Sequence, residues 1–348
     1  MIEKYSFDTI QQMIEHHLKS KESIKMQDDV LITKPVNKQY WELDHENITI
    51  TKKLGEGAFG EVSMGQFRHK KLNKNYQVAI KQAKLEKVTK EQIKEFMAEA
   101  RLMRAFNHPH VVRFYGVAAG TEPLYMVMEL ASNGALDSYL TKNPDLPVEK
   151  RNEMILQAAW GLEYLHSKPV LHRDIAARNC LYGDGKVKIS DFGLTRHGTI
   201  YQMDPTRKVP IRWLAVETLK QQIYTQKTDV WSYGIMCWEI YNNGVEPYPG
   251  MTVAEVNQQV REGYRMQLPP NVSSEVQNLI LVKCWSENPN DRFGMAEIAT
   301  YLQKFTGIVR PNFAAIQAAI AAENNSVNIT TSKTNKRKKR GPGAPRGM

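Results

Sequence analysis

The chain contains 348 residues, of which 42% are hydrophobic and 24% charged, and it carries a formal net charge of +10. This composition is typical of folded globular domains. Because no apolar run approaches the roughly 18 residues that span a bilayer and the first residues do not resemble a secretory signal, we expect neither a membrane-spanning nor a secreted protein. Its three cysteines (Cys180, Cys237 and Cys284) cannot all pair and lack the spacing of a metal site, so we expect a reducing, cytoplasmic environment.

The first 36 residues are too few to bury a core of their own. Ile10, Met13 and Ile14 recur at helical spacing and predict a short helix, and the apolar run at residues 30–33 predicts a strand. Residues 37–47 have the polar composition of a linker. The segment is therefore expected to dock on another element, to dimerise, or to be the end of a larger domain.

The pattern changes after this linker. Strand-like runs come first and long helical stretches follow, which is typical of a small β-rich lobe joined to a larger α-rich lobe. Strands are predicted at residues 48–54, 77–82 and 124–130, and helices at residues 149–166, 229–241, 252–262 and 274–284. The predicted fold class is α+β, with a domain over residues 48–306 whose lobes meet near residue 130.

Residues 307–348 are first alanine-rich and then basic. Residues 323–348 hold seven Lys or Arg against one Glu, which accounts for six of the ten net charges, and their composition predicts disorder. The run Lys336-Arg337-Lys338-Lys339-Arg340 leaves three interpretations open: a solvated run without function, a nuclear import signal, or contact with the anionic inner face of the plasma membrane.

A glycine pattern, G-x-G-x-x-G-x-V, occupies residues 55–62. Gly55, Gly57 and Gly60 would let the backbone approach phosphates and present N–H donors to them. Dinucleotide-binding folds share this pattern, but there a helix follows at once, whereas strand-like residues flank this run on both sides. The context therefore favours a phosphate-binding hairpin.

Lys81 ends the apolar run Val78-Ala79-Ile80-Lys81. Most such lysines lie on the surface of an edge strand, but the distance from the glycine pattern also allows an ammonium group aimed at phosphates. That role requires a carboxylate to hold the lysine. Of three glutamates on the next predicted helix, Glu99 lies nearest the apolar stripe, so Glu99 is the expected partner.

The most informative stretch runs from His172 to Asn179 and contains Asp174. The triplet Asp191-Phe192-Gly193 begins 17 residues after Asp174. An isolated Asp-Phe-Gly is usually a turn, but four motifs in this order and at compatible distances resemble the protein kinase family. The resemblance implies a bilobal protein kinase fold and a reaction that uses ATP with Mg²⁺ or Mn²⁺.

The resemblance also implies a role for each position. The three glycines and Lys81, paired with Glu99, would contact the ATP phosphates. Asp174 would accept or orient the substrate hydroxyl proton, and Asn179 and Asp191 would hold the metal ion. The adenine pocket would be formed by Leu54, Val62, Ala79 and Leu181, with Met128 at its back and Glu129, Leu130 and Ala131 as the hinge strand.

Two features of the resemblance indicate tyrosine as the phosphate acceptor. Serine/threonine kinases usually carry Lys two residues after the catalytic Asp, where this chain has Ala176, and Arg178 matches the tyrosine-kinase pattern and is counted with the catalytic residues. Residues 208–213, which end in Trp213, resemble the platform that supports a phenol ring. Protein tyrosines are therefore the expected substrates, and serine/threonine or dual specificity is disfavoured.

Several further positions concern regulation and stability. Tyr201 is the only tyrosine in the expected activation loop and is predicted to be a phosphorylation switch, whose phosphate Arg173 could meet. The family's Ala-Pro-Glu appears here with Val216 in the middle, which should reduce loop rigidity. The resemblance implies that Glu217 pairs with Arg292, and that Asp229 braces the catalytic loop.

Residues 5–17 resemble the last helix of an SH2 domain, and residues 31–36 resemble its closing strand. This order is similar to that of non-receptor tyrosine kinases, and the linker and glycine loop are closest to the Fes/Fer group. An SH2 domain captures phosphotyrosine with an arginine. Because the first arginine of this chain is Arg68, we expect residues 1–36 not to bind phosphotyrosine.

The sequence therefore predicts an active non-receptor tyrosine kinase. The alternative is a catalytically silent scaffold with a kinase fold, which acts through protein interactions. The partial SH2-like segment and Val216 favour the scaffold. The presence of every phosphate-binding, metal-binding and base residue opposes it.

Overall fold

The structure is a computed structural model that describes residues 5–24, 30–33, 38–57, 60–84, 86, 88–204 and 208–318. Its contacts divide the chain into two compact units, Met1–Glu42 and Leu43–Met348. The basic run at residues 336–340 and two residues of the glycine pattern, Ala58 and Phe59, lie outside the described residues. Within the described ranges, no helix is both long enough and apolar enough to cross a membrane.

Helix α1 (Ile10–Ser20) is the helix that the sequence predicts in the N-terminal unit, and it begins after the N-cap Thr9. The strand predicted at residues 30–33 is wrong, because these residues form no strand. The backbone of Val30 bonds locally instead: its N–H donates to Ser23 Oγ at 3.1 Å, and its carbonyl accepts from the same hydroxyl at 3.3 Å. These bonds replace the ladder bonds that a strand would make.

One antiparallel sheet in the larger unit has the strand order β1-β2-β3-β5-β4. Its strands are β1 (Ile48–Gly57), β2 (Gly60–His69), β3 (Lys74–Ala83), β4 (Phe114–Ala118) and β5 (Leu124–Glu129). The register places Val62 opposite Lys81, and Ala79 opposite Met128. The glycine pattern, the lysine and the start of the predicted hinge therefore lie on adjacent strands.

Helix α2 (Lys90–Met103) packs beside this sheet against β4. It begins with a capping box, in which the Thr89 side chain accepts from the Gln92 N–H and the Gln92 side chain accepts from the Thr89 N–H. Phe96 is fully buried, as the predicted apolar stripe requires. Glu99 is also buried, although it is a carboxylate.

The rest of the unit is mainly helical and surrounds α6 (Gln226–Tyr241), whose residues 228–241 are all buried. The neighbouring helices are α3 (Leu136–Lys142), α4 (Val148–His166), α5 (Val216–Gln221), α7 (Val253–Arg261), α8 (Ser274–Asn278) and α9 (Met295–Thr306). The helix predicted at residues 274–284 is α8 followed by the π-helix Leu279–Cys284. Strands followed by helices confirm the predicted α+β class.

Three short strand pairs carry the loops between these helices. They are β6 (Val170–Leu171) with β9 (Arg196–His197), β7 (Cys180–Gly183) with β8 (Lys186–Ile189), and β10 (Ile200–Gln202) with β11 (Ile223–Thr225). All three pairs are antiparallel. They bring the segments around Asp174, Asp191 and Tyr201 close to α6.

Glu217 in α5 forms an ion pair with Arg292. Both terminal nitrogens of the guanidinium donate to the carboxylate at 2.8 Å, and the Arg292 side chain is 0% exposed. Removal of one partner would leave a buried charge unpaired, at a cost of about 3–5 kcal/mol. Val216, in place of the family's proline, is the first residue of α5 and is itself buried, so this departure leaves the ion pair intact.

We predict that Val216→Pro raises the free energy of unfolding by about 0.4–1 kcal/mol. The N–H of the first helical residue has no partner within the helix, and the φ of proline suits that position. The preceding Ala215 already has the extended ψ, 157°, that a residue before proline adopts. Urea unfolding of the variant and the wild type measures the difference.

The matched control is Val216→Ala, which removes buried methyl groups without restricting the chain and is expected to lower the free energy of unfolding. A Val216→Pro protein that is no more stable than the wild type would contradict the prediction.

Candidate active site

Lys81 on β3 and Glu99 on α2 form a buried ion pair. Nζ of Lys81 donates to both carboxylate oxygens of Glu99, at 3.0 and 2.8 Å, and the two side chains are 11% and 3% exposed. Burial raises the pKa of Glu99, and the Lys81 ammonium opposes this rise because it favours the carboxylate. The pair fixes the position of the ammonium relative to the sheet, as the sequence predicts.

The loop that carries Asp174 is anchored by Asp229, near the start of α6. The two Asp229 oxygens accept hydrogen bonds at 2.8 Å from the backbone N–H groups of His172 and Arg173, and Nε2 of His166 lies 3.1 Å from Oδ2. Burial alone would raise the pKa of Asp229, but the hydrogen bonds from His166 and the loop outweigh burial and lower the pKa. The bond to Arg173 also supports a φ of +71°, which costs about 1–3 kcal/mol in a residue other than glycine.

Asp174 is half-buried and bonded to Arg178. Its Oδ1 accepts from Nη2 of Arg178 at 2.5 Å. Burial raises the pKa of Asp174, and the Arg178 guanidinium opposes the rise. The guanidinium carbon of Arg178 lies 3.9 Å from the centroid of the Trp213 ring, which is cation–π geometry. Arg178 thus connects Asp174 to the segment that the sequence identifies as the acceptor platform.

Glu239, in the last turn of α6, is a residue that the sequence analysis missed. Its Oε2 accepts hydrogen bonds from the Ala177 backbone N–H at 2.9 Å and from Nε1 of Trp213 at 3.0 Å. The residue is 3% exposed, and burial raises the pKa of its carboxyl to about 7. An acidic residue within the otherwise apolar end of a helix was the available signal, because such a group needs buried partners.

Asn179 and Asp191 are the predicted metal ligands. Nδ2 of Asn179 donates to the Asp174 carbonyl at 2.9 Å, so Oδ1 is the atom that remains for a cation. The Asn179 carbonyl accepts from Ser190, both from its N–H at 2.9 Å and from its hydroxyl at 2.8 Å, which places Asn179 beside the residue that precedes Asp191. The Asp191 side chain is exposed. An amide oxygen and a carboxylate are hard donors that fit Mg²⁺ or Mn²⁺.

The glycine pattern forms the hairpin of β1 and β2. The register pairs Gly55 with Val62, and Gly57 with Gly60. Gly60 has a φ of +144°, and a Cβ at this position would lie 2.7 Å from the Gln82 carbonyl oxygen. Glycine is therefore required at residue 60 by the backbone conformation and by the close approach of β3.

The residues predicted to line the adenine pocket come from several strands. Leu54 on β1 is 51% exposed, and the others are half-buried: Val62 on β2, Ala79 on β3, Met128 and Glu129 on β5, Leu130 and Ala131 after β5, and Leu181 on β7. A bridge pairs Leu181 with Ala135 and brings β7 next to the chain that follows β5. The partial exposure of the whole set is typical of side chains that border an opening.

Both oxygens of the Glu129 carboxylate have partners within the protein, so this side chain is not expected to bind a ligand. Lys188 on β8 lies 2.9 Å from Glu129 Oε1, and the Arg113 N–H donates to Oε2 at 3.2 Å. Lys188 also donates to the Pro109 carbonyl at 3.0 Å. Contact of Glu129 with a nucleotide would therefore come from its backbone. Lys188 could not be recognised from the sequence, because a lysine on a short strand has no distinguishing pattern.

Tyr201 lies on β10, opposite Tyr224 on β11. The guanidinium carbon of Arg173 lies 3.9 Å from the ring centroid of Tyr201 and 4.7 Å from that of Tyr224. Nη1 of Arg173 also donates to the Leu194 carbonyl at 2.9 Å. The structure thus brings the predicted phosphorylation site into contact with the arginine that the sequence analysis names for its phosphate.

A family model and several curated proteins that resemble this chain all represent protein kinases. The family model of protein tyrosine and serine/threonine kinases matches residues 48–302. Fer-related kinase 1 of Caenorhabditis elegans is 40% identical over 85% of this chain and 75% of its own length. The human tyrosine-protein kinase Fer is 38% identical over 84% of this chain and 35% of its own length, and the transforming protein Fps of an avian sarcoma virus (strain PRCII) is 36% identical over 84% and 54%. The chain therefore spans about a third of the human relative.

We predict that Glu239→Gln removes part of the pH dependence of stability. The pKa of this carboxyl is raised to about 7 in the folded protein, above its usual 4.5, so the folded state binds more protons than the unfolded state between these values. The contribution of Glu239 to stability is therefore present below about pH 4.5 and is lost as the pH rises through 7. Glutamine retains one oxygen for the bonds from Ala177 and Trp213 and does not titrate.

Urea unfolding of both proteins between pH 5 and 8 measures this effect. The variant is expected to gain stability relative to the wild type as the pH rises. The Glu297→Gln variant, at an exposed capping position of α9, serves as the control. A stability difference for Glu239→Gln that is constant from pH 5 to 8 would contradict the prediction.

Proposed function

The chain belongs to the protein tyrosine and serine/threonine kinase family, within its Fer- and Fes-type tyrosine kinases. From this premise we propose that it is a non-receptor enzyme of intracellular signalling. It would transfer the γ-phosphate of ATP to the tyrosine hydroxyls of proteins. The family match also confirms the protein kinase fold that the sequence predicts. The observation that carries the proposal is the Lys81–Glu99 ion pair, formed in the same unit as Asp174, Asn179 and Asp191.

In the proposed reaction the protein positions its substrates and supplies charge, with little covalent work. Lys81, held by Glu99, contacts the ATP phosphates together with the backbone of the glycine hairpin. Asp174 orients the tyrosine hydroxyl and accepts its proton, and the raised pKa of its carboxyl suits a group that exchanges a proton. Mg²⁺ or Mn²⁺, when bound by Asn179 and Asp191, supplies positive charge that offsets the charge between the phosphates.

Two observations support tyrosine as the acceptor. Serine/threonine kinases usually carry a lysine at the position of Ala176. Here the residue is an uncharged alanine, and it is fully buried. Arg178 lies between Asp174 and the ring of Trp213, which links the proton acceptor to the platform of residues 208–213. A phenol is longer than a serine side chain, and a platform set back from Asp174 by an arginine suits its length.

The parts outside the catalytic residues are proposed from sequence. We propose a kinase domain over residues 48–306, an SH2-like fragment over residues 1–36, and a linker over residues 37–47. The fragment contains no arginine, which disfavours phosphotyrosine binding by these residues. A cytoplasmic location is proposed. Residues 336–340 would act either as a nuclear import signal or as a contact with the anionic inner face of the plasma membrane.

We predict that Lys81→Met and Asp174→Asn each lower kcat/KM by about 10²-fold or more. Lys81→Met removes the ammonium that contacts phosphates and deprives the buried Glu99 carboxylate of its ion-pair partner. Asp174→Asn retains the shape of the side chain but cannot accept a proton. Transfer of phosphate from ATP·Mg²⁺ to a mixed tyrosine/glutamate polymer is measured for each variant and the wild type.

Matched controls are Lys84→Met and Asp184→Asn, which alter an exposed lysine after β3 and an exposed aspartate between β7 and β8. Both are expected to retain activity. A wild type that binds ATP but transfers no phosphate would support the catalytically silent scaffold instead. Phosphate recovered on serine or threonine residues of the kinase itself, which contains both, would contradict the proposed specificity.

We also predict that preincubation with ATP·Mg²⁺ raises the activity of the wild type several-fold and that Tyr201→Phe abolishes this gain. A phosphate on Tyr201 adds a charge of about −1.5 to −2 next to Arg173, and charge-assisted bonds would then hold the activation loop. Mass spectrometry locates the phosphate, and Tyr264→Phe, at an exposed tyrosine, is the control. An equal gain in Tyr201→Phe would exclude Tyr201 as the switch.

A further inference from the structure

Residues 310–317, called the strap here, follow α9 and lie outside residues 48–302, which the family model matches. Phe313 is the centre of the strap. Its ring centroid lies 4.5 Å from that of His108, 5.7 Å from that of His110, and 5.5 Å from that of Trp160. These distances are typical of packed aromatic rings, so the strap is seated on the protein by a specific contact.

Polar contacts hold both ends of the strap. Nη1 of Arg310 donates to Oε1 of Glu163, on α4, at 3.0 Å, and Nη2 of Arg310 forms an ion pair with Oε2 at a distance of 2.8 Å. Nε2 of Gln317 donates to the Asn107 carbonyl. The N–H of Asn107 in turn donates to the Tyr164 hydroxyl, on α4, at 2.9 Å. The strap therefore connects α4 with the turn at residues 107–112, which follows α2.

This turn is bonded to the strand that leads into Asp191. The N–H of Val112 donates to the Ile189 carbonyl at 2.9 Å, and the N–H of Ile189 donates to the His110 carbonyl at 2.9 Å. Ring nitrogen Nδ1 of His110 lies 2.9 Å from the Val187 carbonyl. The turn is thus fixed to β8, which ends two residues before Asp191.

The same turn is joined to the end of α2, which carries Glu99. Phe106, immediately before the turn, packs against Phe192 with ring centroids 5.1 Å apart, and Phe192 follows Asp191. A displacement of the turn would therefore be felt at both Glu99 and Asp191. Packed side chains transmit such shifts because a close-packed interior has little free volume.

We propose that Phe313 and Gln317 are positioning residues for the kinase reaction: the strap holds the turn at residues 107–112 so that Glu99 keeps Lys81 in place for the ATP phosphates. The proposal rests on the proposed function. It assigns a catalytic consequence to a segment that follows the family-matched residues, and it places that consequence on ATP rather than on the tyrosine substrate.

The test compares Phe313→Ala with the wild-type full chain, below the melting temperatures of both. The expected result is that kcat/KM for ATP falls threefold or more while KM for the tyrosine/glutamate polymer stays within twofold. Val309→Ala is the control, because Val309 is 86% exposed and precedes the strap. Phe313→Leu, which keeps an apolar side chain over His108 and His110, is expected to recover most of the loss.

Seating of the strap is measured separately by NMR titration of His108. Burial lowers the pKa of His108 to about 3, so its ring does not titrate near neutral pH in the wild type. In Phe313→Ala the pKa is expected to rise toward 6.5. An unseated strap with unchanged kcat/KM for ATP would overturn the proposal, because the strap would then be only a structural contact.

The ion pair gives an independent test should Phe313→Ala fail to fold. Arg310→Glu and Glu163→Arg are each expected to lower kcat/KM for ATP, and the double variant is expected to recover it because it restores the pair in reverse. Single variants with wild-type activity, or a double variant without recovery, would overturn the proposal. An inactive wild type would contradict the proposed function instead, which separates the two failures.

Discussion

The active site depends on one buried carboxylate, Asp229 of α6. It accepts hydrogen bonds from two consecutive backbone N–H groups of the catalytic loop and from His166, and these bonds outweigh the desolvation of a fully buried charge. The loop needs this support because Arg173 has a φ of +71°, a backbone conformation that residues other than glycine rarely adopt. Without an acceptor at this position, the N–H groups of His172 and Arg173 would be buried and unpaired. The orientation of Asp174 follows from this anchor.

Helix α6 supports the other end of the same loop through Glu239, ten residues further along the chain. Glu239 accepts from Ala177 and from Trp213, so one rigid helix fixes the catalytic loop and the platform together. Arg178 completes the connection, since it bonds to Asp174 and stacks on Trp213. The proton acceptor and the platform are therefore positioned by shared contacts, and a change in either would be transmitted to the other.

The sequence predicted what short motifs determine. Lys81 and Glu99 are predicted from an apolar strand and a helical stripe, and the α+β class follows from the order of the strands and helices. The roles of Asp174 and Asn179 come from the resemblance of their motifs to those of protein kinases. The residues that it missed act through tertiary burial: Glu239 has no motif, and Lys188 and Phe313 acquire partners that are distant in sequence. The error at residues 30–33 has the opposite cause. A local hydroxyl, Ser23, competes with strand pairing for the backbone of Val30, and apolar periodicity does not report such competition.

Val216 and the strap are both connected to a buried ion pair, but they differ in how strongly they are expected to affect it. Val216 replaces a proline next to the Glu217–Arg292 pair, but the two bonds of 2.8 Å remain, so only the flexibility of the chain changes. The strap is proposed to act on the Lys81–Glu99 pair, where the charge of the carboxylate depends more strongly on its partner. Glu99 is buried, and its pKa is raised, so its ionised form depends on continued contact with Lys81. An element that holds the end of α2 therefore stabilises the ionised pair itself. For this reason the contacts around Phe313 can influence the Lys81–Glu99 pair through the turn at residues 107–112.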